Sequence, residues 1–296
     1  MNFQYSDRLV APSRIAIVAP SSPFDRSLFD QGLGAISRRF KVTFSERLFS
    51  VDRYLAGSDP DRRAEFQTAL DADDVRAICV ARGGYGAMRL LPRLKWPTRP
   101  KILVGFSDVT ALHACAQKAG WRSIHGPVVT QLAKQPASVI SRLVDLLEGK
   151  AIAPLSGTAT FASGIAEGPL IGGNLSVLTS LIGTPYMPPL RGAILLLEDV
   201  GERPYRIDRM MTHLILSGLL EGVAGIVLGE FTACEEKDAD YSSEDVLRSQ
   251  IEPLGVPCVA GFSIGHGDVN QPVPLGARVT LDADEQSLTF LEGVAK

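Results

Sequence analysis

The chain of 296 residues has no pair of cysteines close enough in sequence to suggest a shared role. Its four cysteines, Cys79, Cys115, Cys234 and Cys258, stand far apart with no C-x-x-C spacing. A disulfide framework and a cysteine zinc site are therefore not expected, and buried free thiols in a reducing compartment are. The four histidines, His113, His125, His213 and His266, form no helical ligand pair and no H-E-x-x-H, so no metal is expected. There is no block of lysine and arginine, and the formal charge is −3, which gives no electrostatic case for nucleic acid. Apolar runs such as Ala193 to Leu197 are too short to cross a bilayer, so no membrane association is expected. A basic start followed by a long apolar region and a cleavage site is also missing from the first residues, so no secretory signal is expected and the location is read as cytoplasmic.

The hydrophobic fraction of 45% and charged fraction of 21% are those of a globular protein. The length predicts one large or two medium domains. Continuous apolar runs at Arg14–Ala19, Val75–Ala81 and Ile102–Val104 read as strands buried on both faces. Helical segments lie between them: one from about Leu28 to Arg39, one starting at Asp59-Pro60, and one beginning near Ala87. That alternation predicts a parallel sheet wound on both faces, with function at the strand C-termini. From Leu146 to Gly168 small and polar residues suggest a crossing segment with little regular structure. The expected organisation is α/β: an N-terminal parallel-sheet sandwich domain (1–155), a linker (156–168) and a smaller C-terminal α/β domain (169–296), with the site between them. In the second half, strands are predicted at Ala193–Asp199, Gly222–Leu228 and Val256–Phe262, helices near 207–217 and 244–252, and a terminal hairpin at 277–291.

One stretch organises the chemistry: Ile102-Leu103-Val104-Gly105-Phe106-Ser107-Asp108-Val109-Thr110. A serine at a sharp strand-to-helix turn is held up at the end of a sheet, beside backbone N–H groups of the new helix that can stabilise an oxyanion. This is the physics of a nucleophile elbow, although the second glycine of G-x-S-x-G is replaced. An ordinary helix N-cap is the competing reading, because serine before aspartate is a common helix start.

His266 stands between Gly265 and Gly267 after a buried strand, where backbone can approach closely and the imidazole can face a cleft. The other three histidines sit in helices or a turn and read as structural. Glu198 ends the most apolar strand of the second half, and a carboxylate there needs a partner. A strand-terminal acid can orient a histidine, but Asp199 and Glu202 compete for the role, and alternation puts Glu198 and Asp199 on opposite sides. Arg82-Gly83-Gly84-Tyr85-Gly86 follows a strand without matching G-x-G-x-x-G or a P-loop. Its glycines suit a tight loop that points a backbone N–H at the neighbouring strand end. Asn174, after Gly172-Gly173, either caps its helix or reaches a ligand.

Taken together, these pieces resemble the LD-carboxypeptidase family of serine peptidases, which includes the microcin-immunity hydrolases. The resemblance rests on Ala19-Pro20-Ser21-Ser22-Pro23, Tyr54-Leu55-Ala56-Gly57-Ser58-Asp59, the Arg82 to Gly86 loop and Gly105 to Thr110. It continues through Gly172 to Leu175, Leu197 to Arg209 and Gly265-His266-Gly267, nearly the whole chain in the family's order. It implies Ser107 as nucleophile, His266 as general base, Glu198 as its orienting carboxylate, and the backbone N–H groups of Gly84 and Asp108 as oxyanion hole. It implies hydrolysis of the amide between an L-configured centre and a C-terminal D-amino acid, typically D-alanine of murein tetrapeptide in cytoplasmic cell-wall recycling, by a homodimer without metal or organic cofactor. A substrate carboxylate calls for a cation or N–H donors, and Arg82 is the candidate by charge and position. Two other readings stand beside it. One is a relative that cleaves an aminoacyl-nucleotide antibiotic, which would need an aromatic shelf that Trp96 and Trp121 do not obviously provide. The other is a non-catalytic α/β protein that holds a peptide between its halves.

Overall fold

The computed structural model describes residues 3–296. Met1 and Asn2, which begin the expected first domain, lie outside the described residues. In chain order the first half contains β1 (Arg14–Val18), α1 (Arg26–Ser37), β2 (Lys41–Thr43), α2 (Asp59–Asp71), β3 (Val75–Val80), β4 (Ile102–Gly105), α3 (Thr110–Lys118), β5 (Ser123–His125), α4 (Val129–Leu132) and α5 (Ala137–Leu147). The second contains β6 (Leu155–Ser156), β7 (Ala159–Ala162), β8 (Ile165–Asn174), α6 (Leu175–Thr179), β9 (Ile194–Val200), α7 (Pro204–Leu216), β10 (Gly225–Thr232) and α8 (Ser243–Ile251). It ends in β11 (Cys258–Ala260), β12 (Val273–Leu275), β13 (Arg278–Asp282) and β14 (Ser287–Phe290).

The expected α/β class is what forms. The first sheet runs β12-β5-β4-β3-β1-β2, and its five strands from the first half are parallel. Along β1 the side chains alternate between two cores. Ile15 and Ile17 pack with Phe29 and Ile36 of α1, while Ala16 and Val18 pack with Phe66 and Leu70 of α2. Both faces are thus covered, which is why these strands read as unbroken apolar runs. Where a helix is expected near Ala87, a 3-10 segment spans Ala87–Arg93, cut short by Pro92 inside it.

The second sheet runs β6-β14-β13-β8-β9-β10-β11-β7, with a parallel centre, β8 to β11, and antiparallel flanks. One face, with Leu195, Leu197 and Leu228, packs on Met211, Leu214 and Leu247 of α7 and α8. The other, with Ile194, Leu196 and Val227, packs against Val279, Leu281 and Leu288 of the terminal hairpin.

Two features depart from expectation. The stretch 156–168 is not irregular: β7 pairs with β11, β6 pairs with β14, and β8 is already under way at Ile165. Its small residues have little strand propensity of their own, and pairing with the flanks of the sheet supplies the order. The second departure is that β12, from the far end of the chain, lies antiparallel to β5 as the edge of the first sheet, with Val273 opposite His125.

All four cysteines are buried and free, and burial pushes the thiols of Cys79, Cys115 and Cys258 up to about 12 and that of Cys234 to about 11. Among the described residues no helix is long and apolar enough to cross a membrane. None of their His, Cys, Asp and Glu side chains gather into a group able to hold a metal ion.

Candidate active site

Ser107 follows β4 at φ 64°, a left-handed conformation that a side chain with a Cβ adopts at a cost. The 3-10 turn Ser107–Val109 then leads into α3. The N-cap position belongs to Phe106 and carries no side-chain capping bond, so Ser107 is not a helix cap. It is a half-buried residue at a strained strand-to-helix turn, with β3 and β5 on either side of its strand.

The glycine loop after β3 closes on it. A Cβ added at Gly83 would lie 3.0 Å from Ser107 Cβ and 3.2 Å from its Oγ, tight enough that a larger residue would press on Ser107. Two buried charged groups lace the strand-end loops together. Asp108 Oδ2 accepts from Ser21 Oγ at 2.6 Å, in the loop after β1, and from Ala87 N at 2.8 Å, beyond the glycine loop. Burial pushes the Asp108 carboxyl above its usual range, and those two donors and the Arg62 charge hold it back. Arg62 of α2, 2% exposed, donates to the carbonyls of Pro20 and Gly86 and pairs with Asp59. Ser22 adds a further tie, donating its backbone N–H to Gly83 O and accepting from Tyr85 N.

On the second sheet, Glu198 and Asp199 leave β9 on opposite faces, as alternation requires. Asp199 points to the helix side, where it accepts from Asn174 Nδ2 at 2.9 Å and from the backbone N–H of Ser176 and Val200. Burial pushes its carboxyl up to about 6 against those donors. Asn174 caps α6, accepting from Val177 N, and is 3% exposed. Glu202 pairs with Arg206 at 3.4 Å on α7. Glu198 takes the other face and accepts from His266 Nδ1 at 2.7 Å while wholly buried. Burial alone would push its carboxyl up, yet the imidazoles of His125 and His266 outweigh it and hold it at about 2. The group is therefore an anion at neutral pH.

The loop bearing His266 is shaped for that contact. Gly265 has φ 124°, and a Cβ there would come 2.6 Å from Glu198 Oε2. Asn270, 1% exposed, accepts from Gly265 N at 3.0 Å, and its own N–H donates to Gln135 Oε1 at 2.9 Å. Gln135 in turn donates to Asp268 O at 3.2 Å, so a residue of the first half fastens the loop of the second. Neither Gln135 nor Asn270 was singled out by sequence reasoning, because the bond joining them spans 135 positions.

The imidazole of His266 packs on Phe106, 4.7 Å between ring centroids, which brings it beside the residue preceding Ser107. Among the described residues no hydrogen bond joins Ser107 to His266. Arg82, at the start of the glycine loop, is exposed and donates to Pro23 O at 2.8 Å. Trp96 and Trp121 stack edge to face and belong to the core of the first half. Tyr54 and Tyr85, by contrast, form an exposed pair 5.8 Å apart beside Gly84. The cavity of about 370 Å³ between α2 and the β1–β2 edge, lined by Glu65, Thr43 and Phe44, contains none of these side chains.

Comparison with known proteins places this geometry beside that of known families and relatives. Residues 15–126 match the LD-carboxypeptidase N-terminal domain and residues 167–281 the LD-carboxypeptidase C-terminal domain. The chain is 40% identical to a putative carboxypeptidase of Synechocystis over 98% of both chains. It is 31% identical to the murein tetrapeptide carboxypeptidase of Pseudomonas aeruginosa over 92% of this chain and 94% of that one. It is also 26% identical to the microcin C7 self-immunity protein of Escherichia coli, over 93% and 91%. The crystal structure of muramoyltetrapeptide carboxypeptidase from Oxalobacter formigenes superposes with a TM-score of 0.85 at 28% identity, covering 94% of this chain and 98% of that one.

Proposed function

The chain belongs to the LD-carboxypeptidase family, and from that footing we propose that it is a serine carboxypeptidase releasing C-terminal D-alanine from murein tetrapeptide in peptidoglycan recycling. The observation that carries the reading is the 2.7 Å bond between Glu198 and His266, lying next to Phe106 and the strained Ser107.

The chemistry follows from the proton positions. An anionic Glu198 accepts from Nδ1, so the His266 proton sits there and the Nε2 lone pair is left to act as base. Substrate binding brings Ser107 Oγ within reach of Nε2, which takes its proton as the oxygen attacks the carbonyl of the L-centre to D-alanine amide. The tetrahedral oxyanion is held by the backbone N–H groups of Gly84 and Asp108. Its collapse breaks the C–N bond, and His266 passes its proton to the departing D-alanine amine. Water, deprotonated by His266, then cleaves the acyl ester and restores Ser107. Arg82 meets the terminal carboxylate of the substrate, and the enzyme acts as a homodimer in the cytoplasm. The direct test is incubation with L-Ala-D-iGlu-mDAP-D-Ala and detection of free D-alanine. Release by the wild type and none by Ser107→Ala or Glu198→Ala is expected, and no release by the wild type overturns the reading.

A second reading draws on the exposed Tyr54–Tyr85 pair beside Gly84, which offers a nucleobase the aromatic surface that Trp96 and Trp121 do not. In that case the same machinery would cleave an aminoacyl-nucleotide antibiotic, and that compound would be consumed faster than the tetrapeptide.

A further inference from the structure

The Glu198 carboxylate has two oxygens, and the bond to His266 uses only Oε2. Among the described residues, Oε1 is buried without a hydrogen-bond partner. The imidazole of His125 puts Nε2 at 3.8 Å from it, too far for a hydrogen bond but with nothing else claiming the donor. His125 is itself 0% exposed, and among the described residues both its ring nitrogens lack partners. Buried polar groups are rarely left so, and here an orphan donor faces an orphan acceptor. His113, 6.5 Å from His125 between ring centroids, is spoken for: its Nε2–H donates to Gly105 O and its Nδ1 accepts from Ser123 Oγ, each at 2.8 Å.

We propose that His125 is a positioning residue for the hydrolytic reaction, closing on Glu198 to donate Nε2–H to Oε1, so that each carboxylate oxygen is held by one imidazole. The inference rests on the reading of His266 as general base. Its two grips come from different halves of the chain. His125 ends β5 of the first sheet, directly opposite Val273 of β12, and β12 follows the loop that carries His266. Closing the gap takes a shift of about 1 Å, to an ordinary N–H···O length. Once both oxygens are held, the carboxylate cannot rotate, and Oε2 stays in line with His266 Nδ1. The second donor also withdraws negative charge from the carboxylate and so limits its pull on the His266 proton. Other titratable groups stand near this cluster: His113 on α3 beside His125, and Glu230 on β10, which lies near Glu198 and near Asp268 of the His266 loop, while Asp199 occupies the opposite face of β9. Removing His125 leaves all of them in place.

The test compares His125→Phe, which keeps a ring and loses the nitrogens, with His125→Gln, whose amide N–H can reach Oε1. D-Alanine release from the tetrapeptide is followed against pH, alongside thermal unfolding. For His125→Phe a kcat about tenfold lower is expected, less than the loss of a general base itself. KM should stay at its wild-type value. The melting temperature should fall somewhat, because the buried Glu198 loses one of the imidazoles that hold it. The acid limb of kcat/KM should move to higher pH, because His266 holds its proton longer. His125→Gln should recover most of kcat and return the limb. Wild-type kcat and an unmoved limb in His125→Phe overturn the proposal. So does a loss that follows melting temperature and is equal in His125→Gln. If His125→Phe does not fold, His125→Asn, whose shorter amide withdraws the donor, takes its place with the same two outcomes. A wild-type enzyme that neither releases D-alanine nor takes up a phosphonofluoridate at Ser107 removes the hydrolase reading and this inference with it. An active wild type with an indifferent His125→Phe removes the inference alone.

Discussion

Glu198 and Asp199 are adjacent on one strand and meet opposite surroundings: the first is held as an anion by imidazoles, the second is pushed toward its neutral form among helix-end amides. The same side-chain chemistry, one residue apart, therefore predicts different outcomes for mutation. Glu198→Gln should fold and lose about 10³-fold or more in kcat, since a neutral amide cannot hold His266 in the required tautomer. Asp199→Asn should retain most activity. D-Alanine release by both purified variants checks this, and the reverse ranking would transfer the orienting role to Asp199.

Ser107 pays for its exposure in backbone strain. Ser107→Gly removes that strain and should raise the melting temperature by about 2 °C while abolishing D-alanine release. Scanning calorimetry against the wild type measures the shift. A lower melting temperature would mean that the turn carries no strain.

Gly265→Ala should leave the protein folded but cut kcat by about 10²-fold or more, because a methyl group would press on Glu198 Oε2 and displace the carboxylate from His266. An NMR search for the His266 Nδ1–H resonance reads the displacement directly. A wild-type resonance in the variant would show that the loop absorbs the methyl group elsewhere.

Glu65 gives a pH effect away from the chemistry. Burial pushes its carboxyl up to about 7, against the weak help of Ala19 N. The folded chain therefore binds this proton more tightly than the unfolded chain does, and stability falls as pH rises from the ordinary carboxylate range to about 7. Above that the penalty is complete. Glu65→Gln should accordingly raise the melting temperature at pH 8 by a few degrees, ~2–4 °C, and change it little at pH 4. Equal shifts at both pH values would show that the charge carries no penalty. Glu198 works in the other direction, since its lowered value makes its contribution present above the usual carboxylate range and lost as pH falls toward about 2.

Local pattern carried much of the architecture. The unbroken apolar runs marked the parallel strands, because those strands are covered on both faces. Alternation along β9 separated Glu198 from Asp199, but which face meets a histidine depends on packing between distant elements, and spacing alone left both candidates open. The Ser107 turn could have been a cap, and only its positive φ and the capping role of Phe106 decide against that. Residues 156–168 have little strand propensity of their own, and their order comes from partners as much as 131 positions away, such as Ser287 opposite Ser156. His125 read as a structural histidine in a turn. Its sequence neighbourhood gives no hint that Glu198 stands 3.8 Å from its ring.

The antiparallel β12 has a mechanical consequence. Because the tail of the chain supplies the rim of the leading sheet, the halves are stitched rather than hinged, and large swings between them would tear main-chain bonds to β5. An amino-terminal fragment ending at 155 would bare that seam, offering a row of unpaired N–H and C=O groups to any passing strand, and should clump where the intact polypeptide stays dispersed.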